Sequence, residues 1–210
     1  SMAARLGIPS GARILEPGAG VGYFVGMSPV ANNANFTMVE RDITSGRILK
    51  ALYPASEVIN KDMNKAKLAN GTYDLVVGNV PFAAAIQSDS RKRYGRELNL
   101  HNYFIARSLD ALRPGGVAII ITTHNTLDSA GAQRELLAAK GNLIAAIRLP
   151  KTTFQANANT EVVTDILVLQ RPVDPTAPMT PWRNTRLIET DNGQYRGEIN
   201  EWIADNPDFV

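Results

Sequence analysis

Short apolar runs recur along the chain, separated by polar stretches bearing glycine and proline, and they alternate with segments whose apolar residues return at helical spacing. Arg13-Ile14-Leu15-Glu16 and Phe36-Thr37-Met38-Val39 predict two strands, Ser56 to Asn60 a weak third and Tyr73 to Gly78 a fourth. Val117 to Ile121 is apolar without interruption, as in a strand covered on both faces of a parallel sheet. Between these runs, Ile43, Ile48, Leu49 and Leu52 predict a helix stopped by Pro54. Leu100 to Leu112 predicts another, with Leu100, Phe104 and Ala111 near one face, and Asp128 to Ala139 a third with Asp128 as its N-cap. Leu143 to Leu149 and Val162 to Leu169 predict two last strands; no helix fits between them, so they should pair antiparallel. The expected fold class is α/β: a Rossmann-like, doubly wound, seven-stranded sheet, mostly parallel, with an antiparallel final strand.

Composition narrows this picture only in places. The chain has 210 residues, 44% of them apolar and 20% charged, the proportions of one sizeable globular domain. The longest apolar run is far too short to span a bilayer, and no charged-then-apolar leader opens the chain, so no membrane partner is expected. There is no cysteine and there are only two histidines, His101 and His124, without metal-ligand spacing, so no metal is expected. His101 reads as a hydrogen-bonding residue at a helix start in preference to a catalyst. A net charge of +2 neither demands nor excludes nucleic acid. Residues 1–12, opening Ser1-Met2, read as a tag remnant and lead-in, 13–172 as the domain proper, and 173–210 as an extension with a proline-rich strap and a short helix or turn between Gly197 and Ile203. The still-patterned ends suggest a piece of a longer protein.

Candidate chemistry starts where the first strand ends, at Glu16-Pro17-Gly18-Ala19-Gly20-Val21-Gly22-Tyr23. Gly18, Gly20 and Gly22 alternate where the backbone must turn sharply and admit a ligand, with a helix starting near Gly22. A dinucleotide fingerprint would need a small residue where Tyr23 stands, and a P-loop would need Gly-Lys-Ser/Thr. Glu16 repels phosphate and favours a cation, which suits S-adenosylmethionine, with its sulfonium and ammonium, better than a dinucleotide. Glu40, at the tip of the second strand, stands where a ribose diol is held, or is a solvated loop carboxylate. Asp62, beside Met63 after the third strand, borders the same crevice or serves as a turn residue.

The fourth strand runs into Gly78-Asn79-Val80-Pro81-Phe82. An amide, a backbone carbonyl, a fixed φ and an aromatic ring in succession would grip a flat ring bearing an amine, although Asn-x-Pro-Phe is also ordinary turn chemistry. Behind it Arg91, Lys92, Arg93 and Arg96 surround Tyr94, a loop suited to nucleic-acid phosphates or simply a solvated basic stretch. Phe154 is the aromatic of the polar loop between the last two strands.

With those residues in view, the chain resembles S-adenosylmethionine-dependent methyltransferases of the adenine-N6 DNA type. Glu16-Pro17-Gly18-Ala19-Gly20-Val21-Gly22-Tyr23-Phe24 resembles their cofactor loop and Asn79-Val80-Pro81-Phe82 their Asn/Asp-Pro-Pro-Tyr/Phe tetrapeptide. Together with Leu100-His101-Asn102-Tyr103-Phe104 and Thr160 to Leu167, the pattern is similar to the methylase part of large phage- and plasmid-encoded methylase–helicase proteins of antirestriction type. The resemblance implies that Glu16, Pro17, Gly18, Gly20 and Gly22 line S-adenosylmethionine, that Glu40 takes the ribose hydroxyls, and that Asp62 and Met63 lie by the cofactor adenine, with Asn79 between cofactor and target. It implies that Asn79 and the Val80 carbonyl, followed by Pro81, accept the N–H groups of a flipped adenine. Phe82 would stack on that ring, with Phe154 opposite, and Arg91, Lys92 and Arg93 would hold DNA. Val80 departs from the family's proline. No target-recognition region is present, so DNA and the rest of a parent polypeptide, with a recognition or helicase region, are the implied partners, in bacterial cytoplasm and encoded by phage or plasmid. RNA or a protein glutamine as acceptor, or a non-catalytic cofactor-binding module, are the competing readings.

Overall fold

A computed structural model gives the structure at residues 9–29, 34–82, 85–87, 92–95, 97–129, 131–153, 163–174, 176, 182–189 and 196–209. Strand β1 (Arg13–Pro17) leads into a single-turn helix α1 (Tyr23–Gly26), then β2 (Asn35–Glu40), α2 (Ile43–Leu52), β3 (Glu57–Asn60) and β4 (Tyr73–Asn79). A small antiparallel pair, β5 (Ile86–Gln87) and β6 (Leu98–Asn99), precedes α3 (Leu100–Ala111) and β7 (Leu112–Thr123). Short helices α4 (Asn125–Asp128) and α5 (Ala132–Ala138) connect to β8 (Asn142–Leu149) and β9 (Thr164–Gln170). A hairpin of β10 (Thr185–Glu189) and β11 (Arg196–Asn200) with helix α6 (Glu201–Asp205) completes the chain.

The main sheet has seven strands in the order β3-β2-β1-β4-β7-β9-β8. β3 through β7 run parallel, and β9 is antiparallel to both its neighbours. The expected antiparallel pairing of the last two strands is present; in addition, β9 inserts between β7 and β8, which periodicity does not specify. The reversal at β1 and β4 opens a crevice beyond the strand ends, the usual ligand position in such sheets. Among the described residues no helix is long and apolar enough to cross a membrane.

Several elements depart from the sequence pattern for identifiable reasons. β7 begins at Leu112, through Pro114-Gly115-Gly116, because the end of β9 catches the bend: Gly115 N–H donates to Arg171 O and Arg171 N–H to Gly116 O, both at 2.9 Å. On α2, Asp42 caps the helix by accepting from Ser45 N–H at 2.7 Å, and Gly46 and Leu49 face the sheet while Ile43, Ile48 and Leu52 stay exposed. The apolar stripe read there therefore points mostly outward. The expected helix from Asp128 splits in two around Gly131, and Asp128 is not its cap. Its carboxylate is held by Arg148 at 2.9 Å, by His124 Nδ1 at 3.2 Å and by the Asn200 N–H at 3.0 Å. α3 is buried nearly all round, His101 included; neither imidazole nitrogen has a hydrogen-bond partner among the described residues, so His101 is not the hydrogen-bonding helix-start residue expected. Burial pushes its pKa down to about 4.

The C-terminal stretch is tied into the same core. Trp182 is 1% exposed and its indole N–H donates to Gly141 O at 3.1 Å, while the fully buried Asn200 side chain donates to Leu127 O and Trp182 O. The segment expected as a short helix or turn, Gly197 to Ile203, is the end of β11 followed by the start of the short helix α6. Most of the proline strap lies outside the described residues. Trp182→Ala is expected to cost about 3–5 kcal/mol, the range for emptying a buried aromatic site, read as a lowered urea midpoint with an unchanged slope.

Candidate active site

The site is assembled at the ends of β1, β2, β3 and β4 and the first turn of α3. The glycine loop after β1 is stitched to β2: Ala19 N–H donates to Val39 O at 3.0 Å and Gly20 N–H to Glu40 Oε2 at 2.8 Å. Gly22 has φ +84° and sits against α2; a Cβ there would stand 2.5 Å from Tyr53 Cε2 and 2.9 Å from Leu49 Cδ2. The Tyr53 hydroxyl also donates to Gly22 O at 3.0 Å, so loop and helix are locked together. Gly22→Ala combines a left-handed backbone with a clash, and is expected to destabilise the chain by about 2–4 kcal/mol and to weaken cofactor binding, read by thermal melts with and without S-adenosylmethionine.

Glu16 lies beneath this loop, 2% exposed. Its Oε2 has no partner among the described residues, and burial pushes its pKa up to about 7 against the smaller, opposing effect of the Phe24 and Val25 amides. Glu40 is held in place from two sides. Its Oε1 accepts the Asp42 N–H at 2.6 Å, and Asn60 ties the adjacent backbone by donating to Glu40 O at 2.8 Å and Asp42 O at 3.0 Å. A carboxylate has about four acceptor sites, so two backbone amides leave Glu40 capacity for a diol.

A cleft of about 220 Å³ opens above the loop. Gly18, Val39, Glu40 and Arg41 form one side, Lys61, Asp62 and Met63 another, and Asn79, Pro81, Leu100 and Phe104 the rest. Of the residues singled out in the sequence, Gly18, Glu40, Asp62, Met63, Asn79 and Pro81 thus meet around one cavity. Glu16, Pro17, Gly20 and Gly22 shape the loop without lining that cavity. Arg41, Lys61, Leu100 and Phe104 line it and were not singled out as cofactor residues; the four-residue spacing of Leu100 and Phe104 at a helix start was the available signal.

The motif after β4 divides its side chains. Asn79 is exposed at the strand end, whereas Val80 is 1% exposed, its side chain in the core and its N–H donating to Ile121 O at 3.1 Å. Phe82 is half-buried and does not line the cavity. Gly78 lets the motif pass close to the cofactor loop, since a Cβ there would stand 3.2 Å from the Pro17 carbonyl oxygen. Of the cationic run, Lys92 is exposed and Arg93 turns inward, donating to the Tyr103 hydroxyl and lying over the rings of Tyr94 and Tyr103. Arg93 is therefore held against the protein and not presented on an open loop. Arg91 and Phe154 lie outside the described residues.

Residues 30–154, more than half of the chain, match the family described as Eco57I restriction-modification methylase. The chain belongs to that family. Methylases of the Eco57I family take their methyl group from S-adenosylmethionine, and the cavity suits that cofactor: a carboxylate at Glu40 with acceptor capacity to spare, and apolar walls at Val39, Met63, Leu100 and Phe104. This Eco57I-family chain is 33% identical over 183 residues to the defense against restriction protein B of Escherichia phage P1, covering 85% of the chain but 8% of that protein. Its fold matches a Listeria monocytogenes protein assigned to the class I S-adenosylmethionine-dependent methyltransferases, with TM-score 0.65 and 16% identity over 85% of this chain and 59% of that one. It also matches a type I restriction modification subunit from Vibrio vulnificus, with TM-score 0.64 and 15% identity over 92% of this chain and 48% of that one. The Eco57I-family chain therefore spans a small part of the phage relative and about half of each of these solved chains.

Proposed function

We propose that the chain is the catalytic region of a DNA methyltransferase acting on the exocyclic N6 amine of adenine, within a longer polypeptide whose other parts select the DNA. Residues 13–172 carry the reaction in this reading and 173–210 brace it. The observation that supports it best is the exposed Asn79 amide on the wall of the cofactor cavity, at the end of β4, with Val80 anchored in the core beside it.

Bound S-adenosylmethionine supplies a methyl group on a positively charged sulfur. The loop of Gly18, Gly20 and Gly22 would hold the amino-acid end over Glu16, Glu40 would accept the ribose hydroxyls, and Asp62 with Met63 would border the cofactor's adenine. The target amine is a poor nucleophile because its lone pair is delocalised into the ring. Asn79 does not titrate near neutrality, so it is no general base. Its side-chain oxygen and the Val80 carbonyl instead accept the two N–H bonds, which favours the pyramidal, positively charged amine as it forms and fixes its direction of attack. Phe82, moving from its half-buried position, would stack on the extruded base, worth about 1–3 kcal/mol. Lys92, exposed, is left to meet phosphate, and this reading assigns Arg91 the same role.

The test is transfer of labelled methyl to DNA, RNA and a glutamine-bearing peptide in competition, followed by nucleoside analysis. N6-methyladenine in the DNA is expected. Label in RNA or peptide instead, or none from the longer parent protein either, overturns the reading.

A further inference from the structure

A second cleft, of about 340 Å³, opens on the other side of the first turn of α3, within the size range of small-ligand sites. Helical spacing divides the turn between the two: Leu100 and Phe104 line the first cleft, Asn99 and Asn102 the second. Asn125, Ser129 and Gln133, on or beside α4 and α5, face Asn99 and Asn102 across it. Register puts these elements on the rim that carries the motif, since Asn79 pairs with Ile121 and Asn125 follows at the end of β7.

The lining chemistry is unusual in its neutrality. Arg134 is spent on backbone, with Nε donating to Arg183 O at 2.7 Å and Nη1 to Leu127 O at 2.8 Å and Ser129 O at 2.7 Å. Glu97 adds a negative charge, which disfavours phosphate, and no lining residue is aromatic, which removes a stacking platform. What remains is mostly amide, with the Ser129 and Thr126 hydroxyls beside it, the latter paired with Thr122. Asn99 is the N-cap of α3 yet makes no capping bond, and neither its side chain nor that of Asn125 bonds any described residue. Gln133 Oε1 accepts the Asn99 N–H at 3.0 Å and the Asn102 Nδ2–H at 2.9 Å, which leaves its own NH₂ unspent. Asn102, 5% exposed, keeps its Oδ1 without a partner. Each free amide offers a donor and an acceptor in one plane, the complement of an adenine edge with its amino group and neighbouring ring nitrogen.

We propose that this second cleft receives an adenine flanking the methylated base in the same DNA, read edge-on by Asn99 and Asn125. The inference rests on the DNA reading above, because the strand that brings a base to Asn79 brings its neighbours to this rim.

The test uses fluorescence anisotropy of short labelled oligo-dA and oligo-dT single strands. The chain carries Asn79→Ala and is saturated with S-adenosylhomocysteine, so that adenine at the first cleft does not register. A preference for oligo-dA of about tenfold is expected, lost in Asn99→Ala and in Asn125→Ala at unchanged melting temperature. Equal binding of dA and dT, or a preference that survives in the double variant, overturns the proposal. Displacement of the DNA from this cleft by an Asn/Gln-rich peptide, with no dA preference, would give it to a polypeptide and also overturn the proposal. Absence of methyl transfer by the unmutated chain and by its longer parent, with the dA preference retained, would sink the methyltransferase reading alone.

Discussion

Asn79→Ala is expected to lower methyl transfer at least a hundredfold, while S-adenosylmethionine binds within about twofold of the unmutated chain. The asymmetry follows from placement. Asn79 is exposed at the end of β4, so its truncation leaves no buried partner orphaned and the sheet register to β7 intact. Removing one preorganised polar group that acts only as charge develops typically costs a factor of 10²–10³. Asn79→Asp separates positioning from proton abstraction: a carboxylate also accepts two N–H bonds, so it should retain far more activity than alanine does. Single-turnover transfer with calorimetric cofactor binding reads both. Equal loss of binding and transfer in Asn79→Ala would move Asn79 from the amine to the cofactor.

Cofactor affinity is expected to rise with pH up to about 7 and then level off, and Glu16→Gln to abolish the slope. Burial raises the Glu16 pKa from 4.5 to about 7. Below pH 4.5 the group is protonated folded or unfolded; as pH climbs to about 7 only the unfolded chain releases its proton, so stability falls across that window and is flat above it. At about 1.4 kcal/mol per pKa unit the full cost is roughly 3 kcal/mol. A cation bound over the loop favours the carboxylate, so binding below pH 7 expels a proton and affinity climbs by up to about tenfold per unit. At pH 8, Glu16→Gln should melt higher without cofactor and bind cofactor at least about tenfold more weakly. Calorimetry in two buffers of different ionisation enthalpy counts the proton directly. An unchanged pH slope in Glu16→Gln would refute the role.

The parallel strands were legible because each is a short apolar run bounded by turn residues, and the last pair because too few residues separate them for a crossover. The position of β9 was not, since alternation within a hairpin is the same whichever strand flanks it; neighbours in space decide. Asp128 looked like a helix cap because local spacing cannot show Arg148 and Asn200 arriving from distant elements. The bracing contacts of Trp182 and Asn200 are invisible in the sequence for the same reason. At the site, Gly18, Glu40, Asp62 and Asn79 were readable, because strand ends converge on one rim in this topology. Arg41 and Lys61 carry no motif that marks them in the sequence, and the inward turn of Arg93, expected on a phosphate-holding or solvated basic loop, depends on Tyr103 in the next element. Phe82 had the right spacing, but whether a half-buried ring faces a cavity depends on a loop conformation that no pattern encodes.

Gly78, one residue from the end of β4, sits so near the Pro17 carbonyl at the end of β1 that a Cβ there would stand 3.2 Å from that oxygen, and the two strand ends are meshed. Anything that shifts the loop after β1 must be felt at Asn79, and the reverse. Under the proposed function this contact would link occupancy of the cofactor and target subsites, and thermodynamic reciprocity would require each ligand to change the other's affinity by the same factor. A side chain at position 78, even alanine, would push the two strand ends apart by a few tenths of an ångström and weaken that link.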